Sequence, residues 1–326
     1  NILKLRDLAK YRRILTGSPV TKSPLDLYTQ CYFLDPYLLD FQSYYSFKSR
    51  YAIIKRQNMG SHSFDQIVGY QRLDELNHKL NQFSFRVLKK DCLDLPEKVY
   101  TKRYVTMTKE QKQIYDQMRD HALTFLQSGE VITATSALAQ MIKLHQITCG
   151  HVTTEVEEND IRIQEIPNNR IKVLNEALEE VDGKVIIWAT YVHDIRKIEQ
   201  SLKEKYGTKA VETFYGGTAS DDRQEIVTRF QDKEDDLRFL IANPRVGGYG
   251  LTLTASHTVI YYSNNYDLEI RMQSEDRTHR IGQTNKVTYI DLMVEKTVDE
   301  LIIKSLRNKI NLASQVLGEK FKEWLV

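Results

Sequence analysis

Features that would mark a secreted, metal-stapled or membrane protein are missing from this sequence. Its three cysteines, Cys31, Cys92 and Cys149, lie far apart and form no CxxC pair, which argues against a disulfide framework and a structural zinc. No run of about 18 apolar residues occurs, and no charged start precedes an apolar stretch. We therefore expect no membrane span, no signal peptide and a reducing, cytoplasmic location.

A strong net charge is also lacking. The 46 basic and 44 acidic side chains leave a formal net charge of +2, so any contact with nucleic acid would depend on local basic patches. The 326 residues are 41% hydrophobic and 28% charged, which suffices for two domains that each bury a core. Composition alone neither favours nor excludes DNA.

The most informative stretch is Gln273–Gln283, QSEDRTHRIGQ. Apolar residues before it and Gly282 within it predict a helix that ends at Ile281. Helical spacing would put four polar residues on one face: Gln273, Asp276, Arg277 and Arg280. Adjacent arginines repel each other unless an anion lies between them, and guanidinium groups suit phosphate oxygens. We interpret Arg277 and Arg280 as arginine fingers, with a solvated polar helix face as the alternative.

A second stretch, Asn243–Thr254 (NPRVGGYGLTLT), carries three glycines after an apolar run. Together the two stretches resemble the fifth and sixth motifs of SNF2-like superfamily 2 helicases, the ATP-driven translocases of double-stranded DNA. The sixth motif of that family reads Gln-Ala-x-Asp-Arg-x-x-Arg-Ile-Gly-Gln, and this chain matches it with Ser274 in place of alanine. The resemblance implies a DNA-dependent ATPase that uses ATP and Mg²⁺, binds double-stranded DNA and acts as a monomer.

Shorter segments extend the resemblance over nearly the whole chain. Leu15–Pro19 (LTGSP) resembles the third motif, in which Thr16 and Gly17 would couple the two lobes; a plain strand with a Gly-Pro turn is the alternative. Leu95–Lys98 (LPEK) resembles the family's Leu-Pro-x-Lys segment, and Ile186–Tyr191 resembles the fourth motif.

Alternation of helix and strand from residue 169 onward predicts a parallel sheet covered on both faces. The apolar strand-like runs are Val185–Ala189, Val211–Tyr215, Arg238–Ala242, Thr258–Tyr262 and Val287–Val294. We expect an α/β fold, a RecA-like parallel sheet with flanking helices, preceded by a mostly helical tail of the first RecA-like lobe. Expected domains are 1–150 (end of lobe 1), 151–168 (interlobe connection), 169–296 (lobe 2) and 297–326 (C-terminal bracing helices, or plain packing helices).

Other local patterns give further expectations. They are a strand running into a turn over Arg12–Pro19, short helices over Leu25–Phe47, a loop over Gln57–Phe64, a capping box between Thr108 and Gln111, and a small hairpin within 150–169. The stripe of Tyr28, Tyr32, Phe33 and Tyr37 indicates core more than a platform for stacking bases. His145 and His151 lack partners at metal-ligand spacing, so we expect structural or surface roles and no metal site.

The resemblance also assigns residues to the two ligands. Gly248 and Gly250 would let the backbone approach the nucleotide, and Gln273 with Asp276 would position the arginines. The phosphates of one DNA strand would be bound by Thr190, Tyr191, Arg223, Thr252 and Thr254. We expect the threonines to share the carboxyl edge of the sheet, where ligands of parallel sheets bind, although each alone could be an ordinary strand residue. Such contacts predict sequence-independent, salt-sensitive binding.

The phosphate-binding half of such a motor is not in this sequence, which has no GxxxxGK[ST] and no Asp-Glu-x-His. We expect an upstream P-loop lobe to provide it and the chain alone to hydrolyse no ATP. Tyr266-Asp267-Leu268 replaces the family's Trp-Asn-Pro, and the absence of a long insertion suggests a compact bacterial, archaeal or viral member. The alternatives are a non-catalytic DNA- or partner-binding module that works with an ATPase lobe in trans, and a motor that acts on RNA or unwinds strands.

Overall fold

The computed structural model describes residues 2–59, 62–127, 134–157, 160–247 and 250–317. These residues form two compact units. The first comprises residues 2–92, 267–269 and 305–317, and the second comprises residues 93–266 and 270–304. The expected boundaries at 150, 168 and 296 do not coincide with these units, because a strand near residue 100 joins the sheet of the second unit.

The first unit is made of short helices and a β-hairpin. Its elements are a 3₁₀ helix (Ile2–Leu8), α1 (Asp26–Leu34), α2 (Tyr44–Tyr51), β1 (Ala52–Met59), β2 (His62–Tyr70), α3 (Leu73–Asn81) and α4 (Lys89–Cys92). Phe47 and Tyr51 are fully buried in its core. Tyr28 packs against Phe47 with ring centroids 5.4 Å apart, whereas Tyr37 is 83% exposed, so the aromatic stripe is core only in part.

Two expectations for this unit are wrong. The segment Arg12–Pro19 is not a strand, because its apolar residues find no partner strand and Leu15 is 97% exposed. The expected loop Gln57–Phe64 lies largely within β1 and β2, which pair antiparallel up to Met59 and His62. Its centre, residues 60–61, lies outside the described residues. β-Branched residues with high strand propensity, Ile53 and Ile54 in β1 and Ile67 and Val68 in β2, outweigh the polar composition that suggested a loop.

The second unit contains the predicted parallel sheet. Its described strands are β3 (Lys98–Tyr104), β6 (Lys184–Trp188), β7 (Val211–Phe214), β8 (Phe239–Ala242), β9 (Ser256–Tyr261) and β10 (Val287–Met293), with the hairpin of β4 (His151–Glu157) and β5 (Asp160–Glu165) beside them. The sheet order is β3-β10-β9-β6-β8-β7, and every neighbouring pair is parallel. All amino ends therefore lie at one edge of the sheet and all carboxyl ends at the other.

Helices cover both faces of this sheet. The helices after β3 are α5 (Lys109–Gln127), α6 (Ala134–Cys149), α7 (Arg170–Glu179), α8 (Val192–Tyr206), α9 (Ser220–Gln231), α10 (Pro244–Gly247), α11 (Leu268–Glu275) and α12 (Val298–Val316), the last shared between the two units. Alternate residues of β6 enter two core clusters: Ile187 packs with the α7 and α8 side, and Ile186 with the α9 side. This confirms the prediction of a sheet buried on both faces.

Thr108 caps α5 as expected, since its hydroxyl accepts the Gln111 amide at 3.1 Å. The reciprocal half of the capping box is wrong. The Gln111 side chain turns inward and donates to the carbonyls of Ile147 and Thr148, at 2.8 and 3.2 Å. Among the helices described, none has the length and hydropathy to cross a bilayer.

Candidate functional site

The segment that follows α11 is the centre of the site, and its conformation corrects the sequence prediction. Helix α11 ends at Glu275, six residues before the expected Ile281. Thr278 and His279 both donate to the Glu275 carbonyl, at 3.2 and 3.0 Å, and the Tyr289 hydroxyl donates to it as well, at 3.1 Å. The chain therefore turns, and we call residues 276–280 the arginine loop.

The arginine loop still brings its two guanidinium groups together. Nη1 of Arg277 and Nη1 of Arg280 each donate to the same acceptor, the Leu251 carbonyl, at 3.2 Å. Nε of Arg277 also donates to the Gln273 carbonyl at 3.0 Å, so Gln273 positions this arginine through its backbone. Arg277 is half-buried and Arg280 is exposed.

The electrostatics of this pair are unfavourable without a ligand. In the described part of the chain, no carboxylate lies within ion-pair distance of Arg277 or Arg280, although Asp276 is close enough to favour the charged form of Arg277. Burial lowers the pKa of Arg277, and the charge of Arg280 lowers it further. An anion with several oxygens between the two groups would relieve both effects.

The conformation of the glycine-rich segment before Leu251 requires glycine at two positions, Gly247 and Gly250. A Cβ on Gly247 would lie 2.7 Å from the Trp188 ring, so only glycine fits there. Gly250 has a φ of +76°, a left-handed conformation that turns the chain towards Leu251. Gly248, expected to approach the nucleotide, lies outside the described residues.

Gln283, the last residue of the sixth-motif match, joins the two loops. Its amide group donates to the carbonyls of Ser256, Thr254 and Thr278, at 2.9, 3.2 and 3.3 Å. Its carbonyl oxygen accepts the amides of Thr284 and Asn285. Because Ser256 begins β9, this side chain fixes the arginine loop to the amino edge of the sheet.

The carboxyl edge carries a different set of groups. Thr190, just after β6, donates its amide to Ser263 Oγ at 2.9 Å and its hydroxyl to the Ser263 carbonyl at 3.3 Å. Asn243, just after β8, donates to the Thr190 carbonyl at 2.9 Å. These neutral groups tie three strand ends together, where the sequence placed a ligand edge.

The other residues expected to contact DNA do not share one edge. The Thr254 hydroxyl accepts from Gln231 at the end of α9, at the amino edge, and Thr252 follows Leu251 in the same segment. The common edge expected for the threonines is therefore wrong, because the chain crosses the sheet between α10 and β9. Arg223 stays at the carboxyl edge, where it donates to the carbonyls of Thr218 and Tyr215.

A buried polar cluster lies behind the carboxyl edge and contains the two histidines expected to be structural or at the surface. Arg170 pairs with Asp299 and donates to the Tyr262 carbonyl, all three at the core of the unit. His145 accepts or donates at Nδ1 to the Tyr191 hydroxyl, 2.9 Å away. His151 Nδ1 lies 3.1 Å from Asp194. The Tyr191 side chain is thus engaged within the protein, which does not support its expected contact with DNA.

Sequence patterns did not point to Leu251, Ser263 or Glu275, all of which the site uses. Leu251 acts through its backbone carbonyl, which leaves no residue-type signal, and Ser263 acts through both its carbonyl and its hydroxyl. Lys98 was noted only as part of a family segment, and the structure pairs it with Glu275 at 2.9 Å. Thr16 and Gly17 lie in an exposed turn of the first unit, where Thr16 Oγ1 accepts the Ser18 amide.

The arginine pair fits the phosphate tail of a nucleotide, since it presents two cations and no carboxylate from the described ranges pairs with either. For Mg²⁺ the fit differs: the described residues contain no group of three or more His, Cys, Asp or Glu side chains placed to hold a metal ion.

Two family models match the chain, the SNF2-related domain over residues 2–152 and the helicase conserved C-terminal domain over residues 168–282. The chain belongs to the SNF2-related helicase family. This confirms the resemblance drawn from the fifth and sixth motifs. Similar SNF2 proteins include SWI/SNF chromatin-remodeling complex subunit snf22 of Schizosaccharomyces pombe, 26% identical over 95% of this chain and 19% of that protein.

A bacterial relative is equally similar. The uncharacterized ATP-dependent helicase MG018 of Mycoplasma genitalium is 26% identical over 94% of this chain and 28% of that protein. The chain thus spans less than a third of the length of either relative. The Sulfolobus solfataricus SWI2/SNF2 ATPase core in complex with double-stranded DNA is 27% identical, with a TM-score of 0.50 over 97% of this chain and 64% of that one. Because relatives are both eukaryotic and bacterial, the compact-member expectation stays a prediction.

Proposed function

We propose that this chain is the C-terminal part of an ATP-dependent translocase on double-stranded DNA, and that Arg280 and Arg277 bind the γ-phosphate of ATP. The P-loop lobe that holds the nucleotide and Mg²⁺ would be supplied by sequence outside these 326 residues. The observation that carries the proposal is the pair of guanidinium groups at the Leu251 carbonyl, with no carboxylate of the described residues within ion-pair distance.

The chemistry of phosphoryl transfer explains why such a pair matters. Negative charge spreads over the γ-phosphoryl oxygens in the transition state, and catalysis is mainly positioning and charge stabilisation. Arg280 is exposed, so its guanidinium can reach a ligand, and Arg277 is held by the Gln273 and Leu251 carbonyls. We therefore assign Arg280 the direct phosphate contact and Arg277 the supporting one. Gly250 would allow close approach of the backbone.

For DNA, we propose that the carboxyl edge contacts strand phosphates through Thr190 and Arg223. Arg223 uses Nε and Nη2 on carbonyls of its own unit, which leaves further N–H groups for a phosphate. Similarity to an SNF2 ATPase core solved with double-stranded DNA supports this partner. The motif-based coupling role of Thr16 and Gly17 remains part of the same proposal.

The test is ATPase activity of the full-length gene product with double-stranded DNA, single-stranded DNA and RNA compared. We expect double-stranded DNA to stimulate most, and Arg280→Ala to lower the stimulated rate by about 10³- to 10⁵-fold. Arg196→Ala is the matched control, because Arg196 is an exposed arginine of α8 far from this loop in sequence.

Stimulation by RNA alone, or equal rates for Arg280→Ala and Arg196→Ala, would contradict the proposal. Duplex binding without ATPase activity would favour the non-catalytic module instead. The 326-residue chain on its own is expected to give no turnover above a buffer blank, and a blank-corrected rate that Arg280→Ala abolishes would contradict that.

A further inference from the structure

A buried ion-pair cluster stands at the amino end of β3, and the proposed motor chemistry does not use it. Its centre is Glu275, whose side chain is 1% exposed. Three side chains donate to its carboxylate: Lys98 at 2.9 Å, Tyr100 at 2.8 Å and Arg271 at 2.9 Å. Lys98 is the last residue of the LPEK segment and the first of β3.

The charges in this cluster balance only if Lys98 is counted. Arg271 is also bound by Asp291, with contacts of 2.6 and 3.2 Å to its two carboxylate oxygens, and it lies over the Tyr261 ring at 3.4 Å. Burial alone would raise the pKa of Glu275, but Lys98 and Arg271 lower it to about 2, so the group is a carboxylate at neutral pH. Two cations thus face two buried carboxylates.

The cluster is connected directly to the arginine loop. Glu275 is the last residue of α11, and its carbonyl accepts the amides of Thr278 and His279. Further along the loop, Nε2 of His279 donates to the Pro96 carbonyl at 2.7 Å. The arginine loop is therefore bound to the LPEK segment at two points. One is Glu275, which directly precedes the loop and pairs with Lys98, and the other is His279, which contacts the Pro96 carbonyl.

We propose that Lys98 is a positioning residue for the arginine fingers, acting through Glu275 and the arginine loop to hold Arg277 and Arg280 at the Leu251 carbonyl. The expected effect on rate rests on the proposed function, whereas the effect on loop geometry does not. Lys98 lies within residues 2–152, the range that matches the SNF2-related domain. Its strand β3 nevertheless belongs to the sheet that carries the arginines.

Hydrogen exchange on the full-length gene product tests the geometric part. In Lys98→Met, we expect the amides of Thr278, His279 and Leu253 to exchange about 10-fold faster, since Leu253 donates to the Arg277 carbonyl at 2.9 Å. Amides of the central strands β6 and β8 should exchange as in the wild type. Tyr100→Phe removes one hydroxyl from the same cluster and gives a milder version if Lys98→Met does not fold.

Lys286→Met is the matched control. Lys286 pairs with Glu97 at 2.8 Å, next to Lys98, but both partners are mostly exposed and neither contacts the arginine loop. Exchange in the arginine loop should not change in this variant. Lys98→Arg keeps the cation and should restore wild-type exchange.

Steady-state kinetics test the functional part. Lys98→Met should lower kcat for ATP by about 10²-fold, the effect of a small misplacement of a catalytic group, with KM changed less than about 2-fold. Wild-type exchange in the arginine loop of both Lys98→Met and Tyr100→Phe, or a uniform acceleration at all amides, would overturn the inference. If the wild type shows no DNA-stimulated ATPase, the proposed function fails while the exchange result still decides the role of Lys98.

Discussion

Two groups of arginines around the six-stranded sheet are neutralised in opposite ways. Behind the carboxyl edge, Arg170 is fully buried and paired with Asp299. At the amino edge, Arg277 and Arg280 share one carbonyl and no described carboxylate lies within ion-pair distance. In the first arrangement the charge of the arginine is neutralised by a carboxylate of the same unit. The second arrangement leaves two positive charges that an external anion would neutralise. This difference distinguishes a structural arginine from a functional one.

The largest expected effect on stability comes from breaking the buried ion pair of Arg170 and Asp299. Arg170→Met should lower the free energy of unfolding by about 3 to 5 kcal/mol, because it leaves the Asp299 charge buried and unpaired. Denaturant unfolding measures this. Lys172→Met, two residues on in α7 and 75% exposed, should change stability by less than about 0.5 kcal/mol. A similar small change in Arg170→Met would remove the contrast between the edges.

The histidine beside that pair predicts acid sensitivity. Burial lowers the pKa of His145 to about 4 from 6.5, while Asp299 opposes the shift and Arg170 adds to it; Asp194 and His151 also face the group. Between pH 6.5 and 4, His145 therefore binds a proton in the unfolded chain but not in the folded protein. Stability should be full above pH 6.5 and fall by about 3 kcal/mol as the pH drops to 4. A His145→Gln variant should lose this component of the pH dependence, and an unchanged profile would contradict it.

Gln283 tests how the amino edge is held together. Gln283→Ala leaves three carbonyls and two amides without their side-chain partner, so we expect a loss of about 1 to 3 kcal/mol in unfolding free energy. Gln231→Ala serves as a comparison, since it removes contacts only to Thr254 and Ala255. Denaturant unfolding measures both variants, and equal losses of unfolding free energy would contradict a special role for Gln283 in joining the two loops.

The smallest effects concern DNA at the carboxyl edge. Arg223→Ala should weaken duplex binding by about 1 kcal/mol and reduce the slope of log K against log salt by about 1, since it removes one cation. Thr190→Val should weaken binding without changing the slope, because a hydroxyl releases no counterion. Fluorescence anisotropy over a salt series measures both. Equal slopes for the wild type and Arg223→Ala would place the DNA elsewhere.

The sequence was most informative where one signal decides the structure. Strands β6 to β10 overlap the strand-like runs that the sequence shows, and a parallel sheet was predicted from their alternation with helices. Strand β3 was not predicted as part of this sheet, because its partner β10 lies about 190 residues further along. Nothing near Lys98 in the sequence signals that pairing.

The candidate site, like the fold, was predicted from the sequence only in part. The arginine pair was predicted on helical spacing, yet the helix ends at Glu275 because Tyr289 and Leu253, both distant in sequence, bind the carbonyls of Glu275 and Arg277. The arginines meet through Leu251 instead. Thr190 and Thr254 were expected at one edge because both follow strand-like runs, but the crossing between α10 and β9 separates them.

The most direct test is a structure of the full-length gene product with double-stranded DNA and ADP–beryllium fluoride, a mimic of the γ-phosphate. We predict that a guanidinium nitrogen of Arg280 lies about 2.7 to 3.2 Å from the fluoride, with Arg277 still bound to the Leu251 carbonyl. Both arginines paired with carboxylates of their own unit, with the nucleotide bound elsewhere, would contradict the account.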